Sequence, residues 1–479
     1  MQKGKYKTLI ENILYFFICS IAVKIIGYLL LPIFTSNMSM EQYGVADILF
    51  STVNLLYPIF MLGIGGAVLR FCMEKDNDNK LTVTVSFILL GFSTLCSIFT
   101  IPIICLFDKY EEYACFVPVL IFFTNALTII SSLCKAINKL KVVVIQNAIY
   151  SFLTLLLAIV LVKIYKLGVL GFMLTYCISN VLSLIYLVFK SEMVEYISNS
   201  YNLTSIKKEA KRILLYGIPL VPNSLAWWIT QQSDRYMVTF WYGEAANGLY
   251  SIAYKIPSII ATFVNTFIQA WQLSAVKEYE EEKSVEFYNN IYRIYSTLGV
   301  LITLFLLCTT KLFAKILYSM EFYIAWKYVP FLLICALLES QVSFFGTFYL
   351  ANKNTKKYLY SSIIGALSNV LLNIILIPKL GINGASIATL ISYFIVYIIR
   401  VIDMKKYIKI NTRFTKMFIT VLFMIIYSII YINEIVSDNI RDNILVSIVL
   451  VTIILYINDV KSLFRHIFLM KGKRNNDIK

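Results

Sequence analysis

The chain has one histidine, His466, and nine cysteines with no CxxC pair among them. The cysteines are scattered and fall mostly within apolar runs, so neither a His/Cys metal site nor a disulfide framework is supported. Charge is scarce too. Charged residues make up 15% of the 479, where a soluble globular chain carries about 25%. Acid is scarcer than base, 27 residues against 43, which leaves a net charge of +16. No polar stretch is long enough to fold as a soluble domain, which argues against an enzyme whose reaction site sits on a sizeable loop.

What fills the chain is apolar. Hydrophobic residues make up 59%. Runs of about 20 residues, each long enough to cross a hydrocarbon core of ~30 Å as a helix, follow one another with short breaks. They predict fourteen spans, from 10–35 to 443–460. With both termini on the cytoplasmic side, most of the Lys and Arg fall inside, above all in Lys190–Arg212, Arg400–Lys416 and Lys461–Lys479, while Ser36–Gln42 has none. That bias sets the orientation. The excess of base is therefore a topology signal, not a nucleic-acid footprint. The apolar run after Lys3, Lys5 and Lys7 extends past Leu31 with no small-residue cleavage site after it, so the first span is expected to be kept.

The spans repeat. Tyr43-Gly44-Val45-Ala46-Asp47 at the start of span two aligns with Asn247-Gly248-Leu249-Tyr250-Ser251 at the start of span eight. Lys166-Leu167-Gly168-Val169-Leu170-Gly171 before span six aligns with Lys379-Leu380-Gly381-Ile382-Asn383-Gly384 before span twelve, and Asn138-Lys139 with Asn352-Lys353. Each match pairs a span with the one six later. An even repeat enters the membrane in the same direction twice, so the copies relate by an axis along the membrane normal. The expected organisation is an N-terminal lobe at 1–189, a cytoplasmic link at 190–212, a C-terminal lobe at 213–402, and two added spans with a basic tail at 403–479.

Polar residues inside spans mark the candidate site. In span eight, 249–275, the residues Ser251, Lys255, Ser258, Thr262, Asn265, Gln269 and Gln272 recur at steps of 3 and 4. A continuous helix would put them on one face. The aligned stripe in span two is Asp47, Ser51, Asn54 and Pro58. Helix-to-helix hydrogen bonding uses the same residue types as a cavity lining, and both readings fit. Lys24 lies near the middle of span one, where a Lys costs about 2.5–3.5 kcal/mol on insertion scales. A snorkelling side chain and a cavity-facing one are the alternatives, for Lys255 as for Lys24. Glu339 sits near the centre of span ten; it and Asp47 are the candidates for coupling transport to an ion. Trp227, Trp228, Trp241 and Trp271 gather in spans seven and eight or between them, and aromatic faces beside amides and hydroxyls suit a sugar. Pro219, Pro222 and Pro257 favour kinks.

Ser233-Asp234-Arg235-Tyr236-Met237-Val238 followed by Gly248-Leu249-Tyr250-Ser251-Ile252-Ala253-Tyr254-Lys255 resembles the signature of the Wzx-like polysaccharide-repeat flippases, of the multidrug/oligosaccharidyl-lipid/polysaccharide exporter superfamily. Leu31-Pro32-Ile33-Phe34-Thr35 with Glu41-Gln42-Tyr43-Gly44 resembles that family's first-loop pattern. The resemblance implies an all-α, bilobed, V-shaped transporter that flips an undecaprenyl-pyrophosphate-linked oligosaccharide by alternating access for O-antigen, capsule or exopolysaccharide synthesis. It implies no cofactor, no metal and no catalytic residue, since no phosphate is cleaved. It also implies a bacterial cytoplasmic membrane and, as neighbours there, a polysaccharide polymerase and chain-length proteins. In that frame Lys24 and Lys255 would neutralise the pyrophosphate, and Ser51, Asn54, Ser258, Thr262, Asn265, Gln269 and Trp271 would hold the glycan. A lipid II flippase and a multidrug or cation exporter of the same superfamily are the alternatives, the exporter favouring acids such as Glu339 and Asp47. A membrane glycan polymerase is disfavoured by the short outer breaks.

Overall fold

A computed structural model describes residues 24–74, 76–197, 201–264, 267–268, 285–351, 355–407, 411–433, 442–459 and 461. Among these, eleven helices are long and apolar enough to cross a membrane, and the pair Leu203–Ala226 and Trp228–Ala253, bent by 47°, adds a twelfth if it counts as one span. The chain is an all-α, multi-pass membrane protein. We label the helices that follow the span reading α1 (24–37), α2 (Met40–Met61), α3 (Asn79–Ile98), α4 (Phe116–Ala136), α5 (Leu140–Leu157), α6 (Gly168–Ser191), α7 (Val221–Ala253) and α8 (258–264). They continue as α9 (Val285–Cys308), α10 (Val329–Ala351), α11 (Thr355–Leu380), α12 (Ile382–Tyr407), α13 (Phe414–Asn433) and α14 (442–459). The first and eighth expected spans lie partly outside the described residues.

The helices form two compact units, one of residues 1–252 and 316–322, the other of 253–315 and 323–479. In the first, α4 packs against α2, α3 and α6, and α6 also packs against α5. In the second, α10 packs against α9, α12 and α13, and α12 also packs against α11. The contacts α3–α4, α4–α6 and α5–α6 recur six helices on as α9–α10, α10–α12 and α11–α12, whereas α2–α4 and α10–α13 have no such counterpart among the described contacts. Outward faces are apolar, as at Phe92, Leu95 and Phe99 in the first unit and Leu367, Leu371 and Ile374 in the second, which is what lipid contact requires.

The glycines of the second repeated motif have a structural reason. Gly168 and Gly381 both take positive φ, +53° and +63°, where only glycine is free of strain. Three residues on, a Cβ at Gly384 would stand 2.3 Å from the Leu376 carbonyl oxygen, and one at Gly171 would stand 3.0 Å from that of Leu161. Each motif turns the chain and lets the next helix pass close to the end of the previous one.

Helix α2 begins with a capping box. The Ser39 hydroxyl accepts from the Gln42 amide at 3.1 Å, and Ser39 N donates to Gln42 Oε1 at 3.1 Å. It ends where Leu62 and Gly63 go left-handed, φ 49° and 70°, and the chain restarts as Ile64–Phe71. Span two is therefore broken near its C-terminal end. The break fits another backbone: a Cβ on Gly63 would lie 2.4 Å from the Gly217 carbonyl oxygen, and one on Gly217 would lie 2.1 Å from that of Leu62.

Two expectations for spans seven and eight need correction. Span seven, expected at 213–233, does not stop there: helix runs on through Asp234-Arg235 to Gly243, whose φ of 80° and ψ of 177° interrupt α7 before it resumes to Ala253. The stripe of span eight is not carried by one helix, because a turn at 254–257 separates Ser251 from Ser258. Pro257 sits in that turn and removes a backbone donor there.

The nearest backbones in the first unit lie at Gly44, where a Cβ would stand 1.8 Å from the Glu244 carbonyl oxygen. Gly44→Ala is expected to force α2 and α7 apart and to destabilise the protein by about 1–3 kcal/mol, the usual cost of overpacking. Gly66→Ala, whose nearest new neighbour would be a side-chain methyl of Leu220 at 3.5 Å, should be tolerated. Thermal unfolding of the two variants in detergent tests this, and equal midpoints would remove the close contact.

Candidate functional site

Gly44 and Gly248, the aligned glycines of the first repeat, face each other. A Cβ on Gly44 would stand 3.1 Å from Gly248 N, and one on Gly248 would stand 3.3 Å from Gly44 N and 2.2 Å from the Met40 carbonyl oxygen. Neither position can carry a side chain without moving the main chain of the other helix.

This approach brings polar side chains of α2 and α7 into one buried network. Asp47 Oδ2 pairs with Arg235 Nε at 3.0 Å and accepts from Asn247 Nδ2 at 3.3 Å and from the Ser251 hydroxyl. Arg235 Nε also donates to Ser251 Oγ at 3.1 Å, and Asn247 Nδ2 to the Gly44 carbonyl at 3.2 Å. Next to it the Tyr250 hydroxyl donates to Asp234 Oδ2 at 2.8 Å. Asp234, Asn247, Tyr250 and Ser251 are at most 1% exposed. Asp234-Arg235 and Gly248-Leu249-Tyr250-Ser251 are thus two ends of one constellation. At the rim Lys109 bridges Glu244 at 2.7 Å and Glu41 at 3.0 Å.

One to four turns along α2, the two helices separate into a groove of about 490 Å³ lined by Asn54, Tyr57 and Pro58 of α2 and by Ser224, Trp228, Gln231 and Gln232 of α7. Its walls are fixed from behind. Trp228 Nε1 donates to the Ser51 carbonyl at 3.2 Å, and Ser51 Oγ donates to Gln232 Oε1 at 3.3 Å. The Trp228 ring stands 5.5 Å from that of Tyr236, whose hydroxyl shares a hydrogen bond with Thr52 Oγ1 at 2.7 Å. An aromatic face, two or three amides and no carboxylate make a surface that offers stacking to an apolar ring face and hydrogen bonds to hydroxyls. No group of three or more His, Cys, Asp or Glu side chains among the described residues could hold a metal ion.

The residues singled out from the sequence fall in different places. Ser51 supports the groove from behind, Asn54 lines it, and Asp47 is engaged with Arg235. Lys24 is exposed on α1, in the first unit. Lys255 is half-buried in the turn at 254–257, Ser258 donates to its carbonyl at 2.6 Å, and Thr262 donates to the Ser258 carbonyl at 3.0 Å. Glu339 is half-buried on α10, in the second unit. Asn265, Gln269, Gln272 and Trp271 lie outside the described residues. Tyr57, Gln231, Gln232 and the role of Arg235 were not singled out. A signal for them existed, since Ser224, Trp228, Gln231 and Arg235 recur at steps of 4, 3 and 4 and share a face once α7 is known to continue.

A family model described as polysaccharide biosynthesis protein matches residues 9–272. No match is found among curated proteins. Among solved structures, the lipid II flippase MurJ in an inward closed conformation aligns with 93% of this chain and 100% of its own, at 18% identity and a TM-score of 0.69. An inward-facing multidrug resistance MATE family transporter of the MOP superfamily aligns with 81% of this chain and 98% of its own, at 15% identity and a TM-score of 0.65. A MOP superfamily transporter from Pyrococcus furiosus, whose structure is described as having a binding pocket of reverse polarity, aligns with 81% and 93%, at 15% identity and a TM-score of 0.58. At these identities the likeness is one of fold.

The side chains of Asp47 and Arg235 are 14% and 10% exposed, so removing one partner leaves a largely buried charge uncompensated. Arg235→Ala is expected to cost about 3–5 kcal/mol, and the double change Asp47→Leu, Arg235→Met distinctly less. Unfolding midpoints of the single and double variants check this; a double variant as unstable as the single one would mean that the pair itself is not what holds α2 to α7.

Proposed function

Because the chain belongs to the polysaccharide biosynthesis protein family, we propose that it carries a lipid-linked oligosaccharide, an undecaprenyl-pyrophosphate-linked repeat unit, across the cytoplasmic membrane for surface polysaccharide assembly. The observation that carries this reading is the groove between α2 and α7, with Trp228 and Tyr57 beside Asn54, Gln231 and Gln232 and no acid in its lining. A glycan presents ring faces and hydroxyls, and the groove answers both. The fold shared with a lipid II flippase and with multidrug transporters supports transport, not catalysis.

In this reading the lobes 1–189 and 213–402 alternate access around the headgroup. Lys24 and Lys255 attract the pyrophosphate, and Ser258, Thr262, Asn265, Gln269 and Trp271 extend the glycan surface. The polyprenyl tail stays in lipid. Both termini are cytoplasmic, and a polymerase and chain-length proteins take over the flipped unit. A cation exporter is the weaker reading, because Asp47, the acid of the α2 stripe, already has Arg235, Asn247 and Ser251 as partners.

Deleting the gene should make lipid-linked repeat units accumulate on the cytoplasmic face, and the wild-type chain should clear them. The double change Lys24→Ala, Lys255→Ala should not clear them at normal membrane levels, whereas Lys→Arg at both positions should do so in part. Absence of accumulation would sink the flippase reading, and clearance by the double alanine variant would sink the cationic part of it. Tags at Met1 and Lys479 in the same cells should be shielded from outside; labelling of either would overturn the orientation.

Glu339 is the proposed proton carrier, as a carboxyl placed within a span of low dielectric. Glu339→Gln should insert normally but flip without dependence on the proton gradient. A gradient dependence equal to that of the wild type would leave Glu339 a structural residue.

A further inference from the structure

The first unit holds a second, open cavity, of about 390 Å³, lined by α2, α4, α5 and α6, within the range of about 300–1,000 Å³ of small-molecule sites. It meets the groove at Asn54, which lines both. Half of its wall is polar, with Asn54, Thr124, Gln146, Asn147, Asn180 and, in the last turn of α4, Lys135.

Two of these amides make it more than a packing gap. Gln146 is 4% and Asn180 is 7% exposed, and neither carboxamide has a hydrogen-bond partner among the described residues, although both face the chamber. Neither amide is sealed in packed protein; both open onto the chamber, so whatever fills it meets two hydrogen-bonding groups side by side. The charge is equally one-sided. Lys135 is exposed and has no carboxylate partner among the described residues, and no Asp or Glu lines the chamber. Such a lining disfavours cations, and the apolar residues between its polar groups, Phe50, Val53, Leu120, Leu127 and Val143, suit the ring face of a sugar.

We propose that this chamber is a second sugar subsite, which takes one monosaccharide of the cargo and, through Lys135 at its rim, selects a sugar bearing a carboxylate. The proposal rests on the flippase reading and specifies one part of its substrate. Gln146 and Asn180 bind the hydroxyls, each through a carboxamide that both donates and accepts. Lys135 pairs with the acid as a mobile point charge. Continuity at Asn54 lets neighbouring sugars of one chain occupy groove and chamber together.

The test uses the full-length protein in lipid nanodiscs with free glucuronate and free glucose as probes at millimolar concentration. Glucuronate should bind and raise the unfolding midpoint, with glucose binding more weakly. Lys135→Gln should abolish the preference for glucuronate while leaving the weaker binding of glucose. Gln146→Leu should weaken both sugars by about tenfold, the equivalent of one or two lost hydrogen bonds. Lys135 is exposed, so its variant is not expected to fail in folding, and it keeps the test decisive if Gln146→Leu does not fold. Binding of neither sugar would mean that the chamber holds only water, and the proposal would fall; a glucuronate preference unchanged in Lys135→Gln would overturn the assignment of Lys135. A protein that clears lipid-linked units yet binds neither sugar overturns the chamber alone. One that binds glucuronate while the units stay uncleared supports the chamber and overturns the flippase reading.

Discussion

The reciprocal contact of Gly44 with Gly248 is the constraint on which the rest of the first unit depends. The two glycines are aligned by the repeat, and so are the carbonyls each one faces: Glu244 lies four residues before Gly248, and Met40 four before Gly44. A contact in which each position meets its own equivalent is self-complementary, like an isologous interface folded within one chain. No other residue fits, because each Cβ would fall inside the van der Waals radius of a carbonyl oxygen. In a membrane, where apolar surface gives no preference for helix over lipid, such close backbone approach is a principal source of helix affinity.

The next aligned pair shows why the two copies had to diverge. Asp47 and Ser251 are equivalent by the same alignment, and they meet through a hydrogen bond. Strict repetition would oppose two carboxylates at this distance, whose like charges repel. A hydroxyl in the second copy accepts the arrangement, and Arg235, from the preceding half of α7, supplies the compensating charge. A buried ion pair of this kind adds little net stability over a well-packed apolar contact, but it penalises any register that separates the partners. It therefore fixes how α2 and α7 are placed beyond the glycines, where they part to form the groove.

Much of this was written in the sequence. Apolar runs and base asymmetry mark the spans, and eleven of the fourteen correspond to single long helices. The repeated glycines mark the places where backbone meets backbone or turns, at 44 and 248, and at 168 and 381. What was not legible depends on tertiary partners. The run from Gln231 to Arg235 is polar by composition, and polarity alone reads as a break; it is helix because Asp47 and Ser51 of α2 receive it. The spacing of Ser251, Lys255 and Ser258 is equally compatible with a continuous helix and with one interrupted at 254–257, since a period of 3 to 4 says nothing about whether the backbone between its members is broken. Pro257 was the one local hint, and it was read as a kink, not as a break. The chamber was invisible for another reason: its lining comes from four helices, and the amides and hydroxyls that each contributes look ordinary along the chain.

The charge of the two cavities narrows the cargo independently of any relative. Asp234 and Asp47, the acids of the α2 and α7 network, are both held by internal partners, Tyr250 for the first and Arg235, Asn247 and Ser251 for the second. Groove and chamber are therefore lined by amides, hydroxyls, aromatic rings, a few aliphatic side chains and one lysine, with no carboxylate. A cationic drug entering this surface would give up its hydration and meet no countercharge, whereas a polyhydroxylated ligand exchanges water for amides at little net cost. The same arithmetic sets the division of labour. Neutral hydrogen bonds of about 0.5–1.5 kcal/mol each can discriminate one sugar from another without holding it long, which is what the proposed carriage of a glycan requires: recognition on one side and release on the other.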